Sequence, residues 1–418
     1  MNIYVLVFLG SCIAEKISYE HYKVFRTHPE TQHDLHLLKQ FAERIPAIDF
    51  WNRPNEFNTD IDVMIPPEHE KEFENFLYTR NIDSEIVKQD VQDLIKKQHS
   101  CSTGRCALGW TQYATLAQID AWLYSLPKHY KTVKVIIAGK TFEGRNITGV
   151  HLSYSRDNRH KAIFIEANMH GREWITSAAA TFILNELLTS KNPEIRRVAE
   201  SYDWYFVPVA NPDGFVYSHE QDRMWYKTRT NHNWLCRGAD AAINWDIHWS
   251  EPATYTHPCI EPYPGPKPFS ESCTKTMSQY FYKMGDYLIA YLSFHSYGQI
   301  LGIPYGHSPD LLDNYNTTYS IGLKTVESIA KRYGTRYTVG NLYNVKGHSG
   351  GFSVDWVKDM FRLPLVYVFY LRDNGKYGYT LPPDQIIPTG LETLDGIVAM
   401  LKAYEETPWS AHYFKKLP

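Results

Sequence analysis

Two histidines and one glutamate have the residue types and spacing of zinc ligands. His170 ends an apolar, strand-like run, and Glu173 opens a helical run three positions later. His295 ends another apolar run far downstream. Two imidazoles and one carboxylate around a tetrahedral zinc ion leave one position open, as in hydrolytic sites. A His-x-x-Glu pair alone is weak evidence, because two core histidines and a helix-capping glutamate would look the same.

Beyond Trp110, apolar strand-like runs alternate with helical segments, which predicts an α/β domain with a mixed sheet covered by helices on both faces. The predicted strands are residues 133–137, 162–166, 204–209, 287–294 and 364–370, and the predicted helices are 116–126, 174–190, 274–282, 319–333 and 389–404. His170 and His295 then lie at strand ends, where side chains from neighbouring strands can meet.

Residues 20–90 read as a separate, smaller α+β unit. Alternating strands are expected at 21–26, 61–65 and 85–88, and helices at 31–45 and 68–78. If residues 47–51 are also a strand, the order is β-α-β-β-α-β, an open sandwich. A polar connector with Lys96 and Lys97 follows, and basic residues there, Arg105 included, are candidate protease targets.

The net charge and the lengths of the apolar runs exclude some classes of protein. In 418 residues, 43 Lys and Arg stand against 46 Asp and Glu, giving a net charge of −3, whereas nucleic-acid binders carry a basic excess. The apolar run of residues 3–14 is too short to span a bilayer and reads as a secretory signal, with a buried N-terminal strand as the alternative. We therefore expect a secreted, extracellular monomer with no nucleic-acid partner and no membrane span, divided into a signal segment 1–14, an N-terminal unit 15–105 and a main domain 106–418.

Cysteine usage fits an oxidising compartment. Without Cys12 five cysteines remain, and Cys236 and Cys259, which flank one loop, are expected to pair. Cys101 and Cys106 can close a small ring, leaving Cys273 as the odd thiol. Sequence alone does not fix these last pairings.

The surroundings of the three candidate ligands resemble the secreted zinc metallocarboxypeptidases of the carboxypeptidase A/B type over nearly the whole chain. The N-terminal unit resembles their inhibitory pro-domain. The motifs that carry the resemblance are His170-Gly171-Arg172-Glu173-Trp174, Asn211-Pro212-Asp213-Gly214, His295-Ser296-Tyr297 and Leu371-Arg372-Asp373. The resemblance implies one zinc ion on His170, Glu173 and His295. It also implies that Asp240 orients the first zinc histidine. It further implies that Arg172 contacts substrate, although a structural salt bridge is equally expected for this residue.

The same resemblance indicates departures at the catalytic positions. The family's general-base glutamate aligns with Tyr370, and a phenol with an ordinary pKa near ~10 is a poor base at neutral pH. The arginine that stabilises the oxyanion aligns with Tyr226. The asparagine and arginine that clamp the substrate's C-terminal carboxylate align with Ala242 and Ile243, which cannot make charge-assisted hydrogen bonds. A slipped alignment is the alternative, but motifs on both sides of each position match without gaps.

The loop before Ser349-Gly350-Gly351 is longer than its counterpart in the family by at least about one residue. The family tyrosine that closes over substrate has Tyr343 as its candidate match, while Lys346 and His348 offer replacement positive charge. The leading hypothesis is a zinc-binding, catalytically impaired family member that binds a peptide or protein C-terminal segment in the cleft. The alternative is an active zinc metallocarboxypeptidase with a rearranged site. A zinc hydrolase for another substrate, such as an endopeptidase or amidase, is a third possibility.

Overall fold

The computed structural model describes residues 16–45, 47–52, 59–98, 108–155, 161–233, 235–252, 257–284, 287–408 and 410. The predicted signal segment 1–14 lies outside the described residues. So do Cys101, Arg105 and Cys106, so the ring and the cleavage site stay predictions. Cys273 is described, and its thiol is free and buried.

The N-terminal domain is a four-stranded antiparallel sheet covered by two helices, in the predicted β-α-β-β-α-β order. Its elements are β1 Lys23–His28, α1 Gln32–Arg44, β2 Asp49–Phe50, β3 Ile61–Ile65, α2 Glu70–Arg80 and β4 Asp83–Lys88. The strand order is β2-β3-β1-β4. Thr31 begins α1 with a capping box, in which its hydroxyl accepts from the Asp34 amide and the Asp34 carboxylate accepts in return. The short β2 confirms the conditional strand within residues 47–51.

A helix that the sequence analysis did not predict closes this domain. Helix α3, Val91–Gln98, occupies part of the segment that was predicted to be a polar connector. Its polar residues Lys96 and Lys97 are exposed, while Val91, Ile95 and Gln98 are buried. The apolar residues recur at a spacing of four, so they form one helical stripe, and the neighbouring domain covers that stripe.

The C-terminal domain is built on an eight-stranded mixed sheet in the order β11-β10-β12-β9-β7-β8-β6-β5. The four central strands, β12, β9, β7 and β8, are parallel to one another. On one side β10 pairs antiparallel with β12, and on the other β6 pairs antiparallel with both β8 and β5. The strands are β5 Val133–Lys140, β6 Asn146–Leu152, β7 Ala162–Ala167, β8 Asp203–Val207, β9 Leu288–Ser296, β10 Ile300–Ile303, β11 Thr338–Asn341 and β12 Leu365–Leu371.

Helices cover both faces of this sheet, as predicted. They are α4 Leu116–His129, α5 Trp174–Thr189, α6 Pro193–Ser201, α7 Pro212–Glu220, α8 Ser272–Met284, α9 Tyr315–Tyr333, α10 Leu342–Lys346, α11 Ser353–Phe361 and α12 Ile386–Glu405. Two separate apolar clusters lie on the two faces of the sheet. Strands β7 and β9 are buried along their whole lengths, which explains why both read as continuous apolar runs. No helix in the described part of the chain is long and apolar enough to cross a bilayer.

The two domains share a buried cluster. Tyr19, Val24, Trp51, Met64, Val91 and Ile95 of the N-terminal domain pack with Met224, Tyr297 and Tyr379 of the C-terminal domain. Polar contacts cross the same boundary: Lys88 Nζ donates to the Gly375 carbonyl at 2.8 Å, and Tyr379 Oη donates to the Trp51 carbonyl at 2.8 Å. The interface therefore has the character of a domain core and not of a loose surface contact.

Candidate metal centre and cleft

The parallel pairing of β7 with β9 brings the three predicted ligands together. Ala167 is in register with Phe294, so the residues that follow both strands leave the sheet at the same edge. His170 lies in the turn after β7, Glu173 precedes the first residue of α5, and His295 is the next-to-last residue of β9. Their ligand atoms all lie within 4.8 Å of one another, and all three residues are buried.

The spacing of the donor atoms fits one zinc ion. His170 Nδ1 is 2.9 Å from Glu173 Oε1, and His295 Nδ1 is 3.2 Å from both His170 Nδ1 and Glu173 Oε2. Donors placed about 2.0–2.2 Å from a tetrahedral zinc lie roughly 3.3–3.6 Å apart. The donor atoms are therefore a few tenths of an ångström closer together than around such an ion, and a slight widening of the cluster would admit it.

The second nitrogen of His170 is fixed by Asp240. His170 Nε2 lies 2.8 Å from Asp240 Oδ1, a carboxylate oxygen that can only accept, so Nε2 carries the proton and Nδ1 faces the ligand cluster. Burial alone would lower the pKa of His170, but Glu173 and Asp240 outweigh it and raise that pKa to about 9. A cluster that holds a proton this firmly also attracts a dication in its place.

Tyr226 packs directly on the first ligand. Its ring lies over the His170 ring at a centroid distance of 3.8 Å and an interplanar angle of 15°, and its hydroxyl donates to Asp240 Oδ2 at 3.4 Å. The same ring lies 4.8 Å from the guanidinium carbon of Arg172. Tyr226 thus stands beside the metal ligands as a neutral, mostly buried aromatic side chain.

Tyr370 flanks the other histidine. In the pairing of β12 with β9, Tyr370 is in register with His295, and the two rings lie 5.6 Å apart. Lys346, the last residue of α10, holds its ammonium 4.4 Å from the centre of the Tyr370 ring. The side chain that β12 delivers towards the metal centre is therefore a phenol covered by a lysine.

The two predicted clamp positions are buried apolar residues, and of the two Ala242 lines the cleft while Ile243 is not among its lining residues. Ala242 and Ile243 belong to a short 3-10 turn, Ala241–Ile243, which Asp240 caps by accepting from the Ala242 amide at 2.9 Å. Both are almost fully buried and belong to an apolar cluster with Phe352. Their side chains offer no hydrogen-bond donor to an anion.

Arg172 points to the N-terminal domain. It is 1% exposed, and its Nη1 donates to Asp49 Oδ2 at the start of β2 and to the Met224 carbonyl at 3.3 Å. Burial would lower the pKa of Arg172, but Asp49 outweighs it and holds that pKa well above its usual value. Of the two roles expected for Arg172, the structure shows the salt bridge; substrate contact stays a prediction.

A cavity of about 720 Å³ joins these features. It is lined by the three metal ligands, by Arg172, Tyr226, Ala242, Lys346, Phe352 and Tyr370, and by residues of α1 and β2 from the N-terminal domain. That domain therefore supplies one wall of the cleft. Such a volume suits a short peptide or a similar small ligand.

Glu261 is a cavity residue that sequence reasoning missed. It follows the Cys236–Cys259 disulfide, which forms as predicted, and it lines the cavity. Burial, together with the charge of Asp49, raises the pKa of its carboxyl to about 7, although Arg172 opposes the shift. No local motif marks this position, because its environment comes from both domains.

Tyr343 is not among the residues that line the cavity. Its ring lies 5.2 Å from that of His348, and its amide donates to the Tyr305 carbonyl at 3.1 Å. A role of Tyr343 in substrate contact stays a prediction. Of the two loop residues expected to offer positive charge, Lys346 lines the cavity and His348 is not among its lining residues.

Comparison with known families agrees with this architecture. A family model described as "Zinc carboxypeptidase" matches residues 119–396, and one described as "Carboxypeptidase activation peptide" matches residues 25–98. "Zinc carboxypeptidase A 1" of Anopheles gambiae is 36% identical over 409 residues, covering 96% of this chain and 93% of that protein. "Zinc carboxypeptidase" of Simulium vittatum is 47% identical over 294 residues, covering 70% of this chain and 96% of that protein.

Two solved structures show the same fold. The thrombin activatable fibrinolysis inhibitor superposes with a TM-score of 0.85 at 24% identity, covering 96% of this chain and all (100%) of that one. Carboxypeptidase A from Helicoverpa armigera gives 0.84 at 24% identity, covering 94% and 100%. The chain belongs to the zinc carboxypeptidase family and carries the family's activation peptide as its N-terminal domain. The predictions of the fold and of a site for one zinc ion are confirmed.

Proposed function

We propose that this protein is a zinc-binding family member with little or no carboxypeptidase activity, and that its cleft binds the C-terminal segment of a peptide or protein. The observation that carries the proposal is the pair of tyrosines beside the metal ligands. Tyr226 is stacked on His170, and Tyr370 faces His295, where the sequence resemblance expects an arginine and a glutamate.

A zinc ion on the triad would acidify a bound water and polarise a carbonyl. Protein side chains must carry out the remaining steps. A base must take the water's proton, and general base catalysis is worth about 10²–10⁴ in rate; the phenol of Tyr370 is a poor proton acceptor. A hydrogen-bond donor must stabilise the oxyanion, and one such donor contributes a factor of about 10²–10³ to the rate. The hydroxyl of Tyr226 is already directed at Asp240.

Substrate placement is the third deficit. An arginine holds a carboxylate through two charge-assisted hydrogen bonds, while Ala242 and Ile243 present buried apolar side chains. The three deficits act on one transition state, so their costs do not add simply. Together they support binding without efficient turnover.

One observation favours the alternative of an active carboxypeptidase. Glu261 places a carboxyl in the same cavity, and its pKa of about 7 is near the optimum for a general base at neutral pH. The curated relatives are also named zinc carboxypeptidases. In this second function Glu261 would replace the missing base, and Glu261→Gln would abolish turnover.

The restoring substitutions test the leading proposal. A variant combining Tyr370→Glu, Tyr226→Arg, Ala242→Asn and Ile243→Arg should gain chelator-sensitive removal of C-terminal residues, followed by mass spectrometry of a peptide pool. The same four changes with His295→Ala are the matched control, since that protein lacks one zinc ligand. Wild-type turnover equal to that of the restored variant would refute the proposal.

Secretion is part of the proposal. It is supported by the signal-like run at residues 3–14 and by the Cys236–Cys259 disulfide, which is typical of oxidising compartments. A monomer without a nucleic-acid partner is proposed from the net charge of −3. Expression in secreting cells, N-terminal sequencing of protein from the medium and sedimentation analysis test these points; retention of the chain inside the cells would contradict the first.

A further inference from the structure

Two short sequences in the C-terminal domain have the pattern of acceptors for N-linked glycosylation, and the zinc cleft uses neither. They are Asn146-Ile147-Thr148 and Asn316-Thr317-Thr318. In both, the asparagine is exposed and the second threonine-type position, Thr148 or Thr318, is buried in the folded protein. The pattern requires that threonine, so the sugar must be attached before the segment folds. The time for which each segment stays unfolded therefore decides between the two acceptors.

The first acceptor belongs to a hairpin that needs only local contacts. Asn146 opens β6 and is in register with Lys140 of β5. The turn between them is closed by the Thr141 amide, which donates to the Arg145 carbonyl at 2.9 Å. A β-hairpin forms in about 1–10 μs once its residues are available. Because β5 precedes Asn146 in the chain, this acceptor can enter regular structure as soon as it has been synthesised.

The second acceptor depends on residues that are synthesised much later. Asn316 is the second residue of α9, and the residues around it are held from 44 and 49 positions further along the chain. Asn314 Oδ1 accepts from Lys358 Nζ at 3.1 Å, and the Thr318 carbonyl accepts from Tyr367 Oη at 2.6 Å. Helices in proteins draw most of their stability from such tertiary packing. At about 5–20 residues per second, the later residues follow after roughly 2–10 s, during which Asn316 stays accessible.

The folded protein tolerates a sugar on Asn316. The first N–H groups of a helix have no partner within the helix, so a bulky group on the first turn interrupts no helical hydrogen bond. Asn316 is exposed there, and no residue of α9 is among the described residues that line the cleft cavity. A modified chain therefore keeps its cleft open.

Two exposed leucines lie close to Asn316. Leu311, just before α9, is 55% exposed, and Leu323 is 46% exposed. Leu323 follows Asn316 by almost two full helical turns, so it lies on the same side of α9, about 10 Å further along. An oligosaccharide is bulky and solubilising. Attached to Asn316, it would shield both leucines from contact with other chains.

We propose that Asn316 is a glycosylation site and that its N-linked oligosaccharide shields Leu311 and Leu323. In the transfer, the side-chain nitrogen of Asn316 forms a bond to the anomeric carbon of the first N-acetylglucosamine of a lipid-linked donor. The bond between that carbon and a donor phosphate oxygen breaks, the nitrogen loses one proton, and the lipid diphosphate leaves with the electron pair. The inference goes beyond the proposed function and shares with it only the secretory route.

The experiment expresses the full chain in secreting eukaryotic cells and maps the peptides from medium and cell lysate by mass spectrometry. Treatment with peptide N-glycosidase should remove an oligosaccharide and leave aspartate at position 316. Asn316→Gln should lose this modification. Asn146→Gln should keep it, as should the matched control Asn75→Gln, which changes an exposed helical asparagine outside any acceptor sequence. An unmodified Asn316 in both fractions overturns the inference, whether or not Asn146 carries sugar.

Sedimentation analysis tests the shielding. Asn316→Gln should self-associate more than wild type at equal zinc content, and adding Leu311→Ser and Leu323→Ser should reverse the increase. Equal self-association of Asn316→Gln and wild type overturns the shielding role. A chain that is glycosylated at Asn316 but stays inside the cells supports the site and refutes secretion, so the two failures are distinguishable.

Discussion

The ion pair between Asp49 and Arg172 is expected to hold the N-terminal domain over the metal centre. The perturbation is Asp49→Asn, which keeps the shape and an accepting oxygen but removes the charge. Breaking a buried ion pair by removing one partner costs about 3–5 kcal/mol, because the other charge stays buried. Arg172 meets that condition, with 1% exposure.

Three features of the site bring the expected cost down. Arg172 keeps the Met224 carbonyl at 3.3 Å and the face of the Tyr379 ring at 4.1 Å. Burial raises the pKa of Asp49, because desolvation disfavours its charged carboxylate. The variant has no carboxylate to desolvate at this position, and this offsets part of the attraction that is lost. Glu261, whose pKa the charge of Asp49 helps to raise, can ionise more readily near Arg172 in the variant. We expect a net loss of about 2 kcal/mol in docking free energy.

The assay requires the N-terminal domain to be held without a covalent link. A specific protease site introduced between Gln98 and Leu108 allows the chain to be cut, and the dissociation constant of the two pieces is measured by calorimetry. A loss of about 2 kcal/mol corresponds to a roughly 30-fold weaker complex. Asp60→Asn is the matched control, because Asp60 is exposed in the same domain and its contact with His28 should contribute at most about 1 kcal/mol. Equal effects of the two substitutions would refute the importance of the buried pair.

Other predictions concern single residues around the cleft. Asp240→Asn should weaken zinc affinity about 10- to 100-fold, measured by competition with a chromogenic chelator, because the carboxylate that orients His170 is lost; an unchanged affinity would contradict that role. The carboxyl of Glu261 has a folded pKa of about 7, above its ordinary value of 4.5, so the folded chain holds a proton that the unfolded chain has released. Stability should therefore fall as pH rises between about 4.5 and 7, by at most about 3 kcal/mol relative to Glu261→Gln, in urea titrations at several pH values; parallel pH profiles would refute the assignment. Gly350→Ala should destabilise the cleft loop, since a Cβ there would lie 1.8 Å from the His248 carbonyl oxygen; a melting temperature equal to that of wild type would show that the backbone adapts.

The parts of the fold that follow local patterns were predictable from the sequence. Continuous apolar runs identified β7 and β9, because both strands are buried on both faces. His170 and Glu173 were recognisable from their spacing, and His295 from its place at the end of an apolar run. The pairing of β7 with β9 then brings the three together.

The features that sequence reasoning missed depend on contacts between distant segments. The polar end of helix α3 has the sequence pattern of a connector. In the structure its buried Gln98 donates to the Leu381 carbonyl at 3.0 Å and accepts from Arg223 Nε at 2.9 Å. The partner of Arg172 and the raised pKa of Glu261 likewise arise where the two domains meet. No hydrophobic periodicity or motif within one segment of the sequence indicates such a contact.

The most direct test of the central claim measures zinc and turnover in the same preparation. The purified full chain, and the chain cut between Gln98 and Leu108, are analysed for bound zinc and incubated with a mixed peptide pool, with and without a chelator. The proposal predicts one zinc per chain and peptides that stay intact in both forms. Chelator-sensitive loss of single C-terminal residues from those peptides would contradict it, and would show that Tyr226 and Tyr370 are no barrier to catalysis.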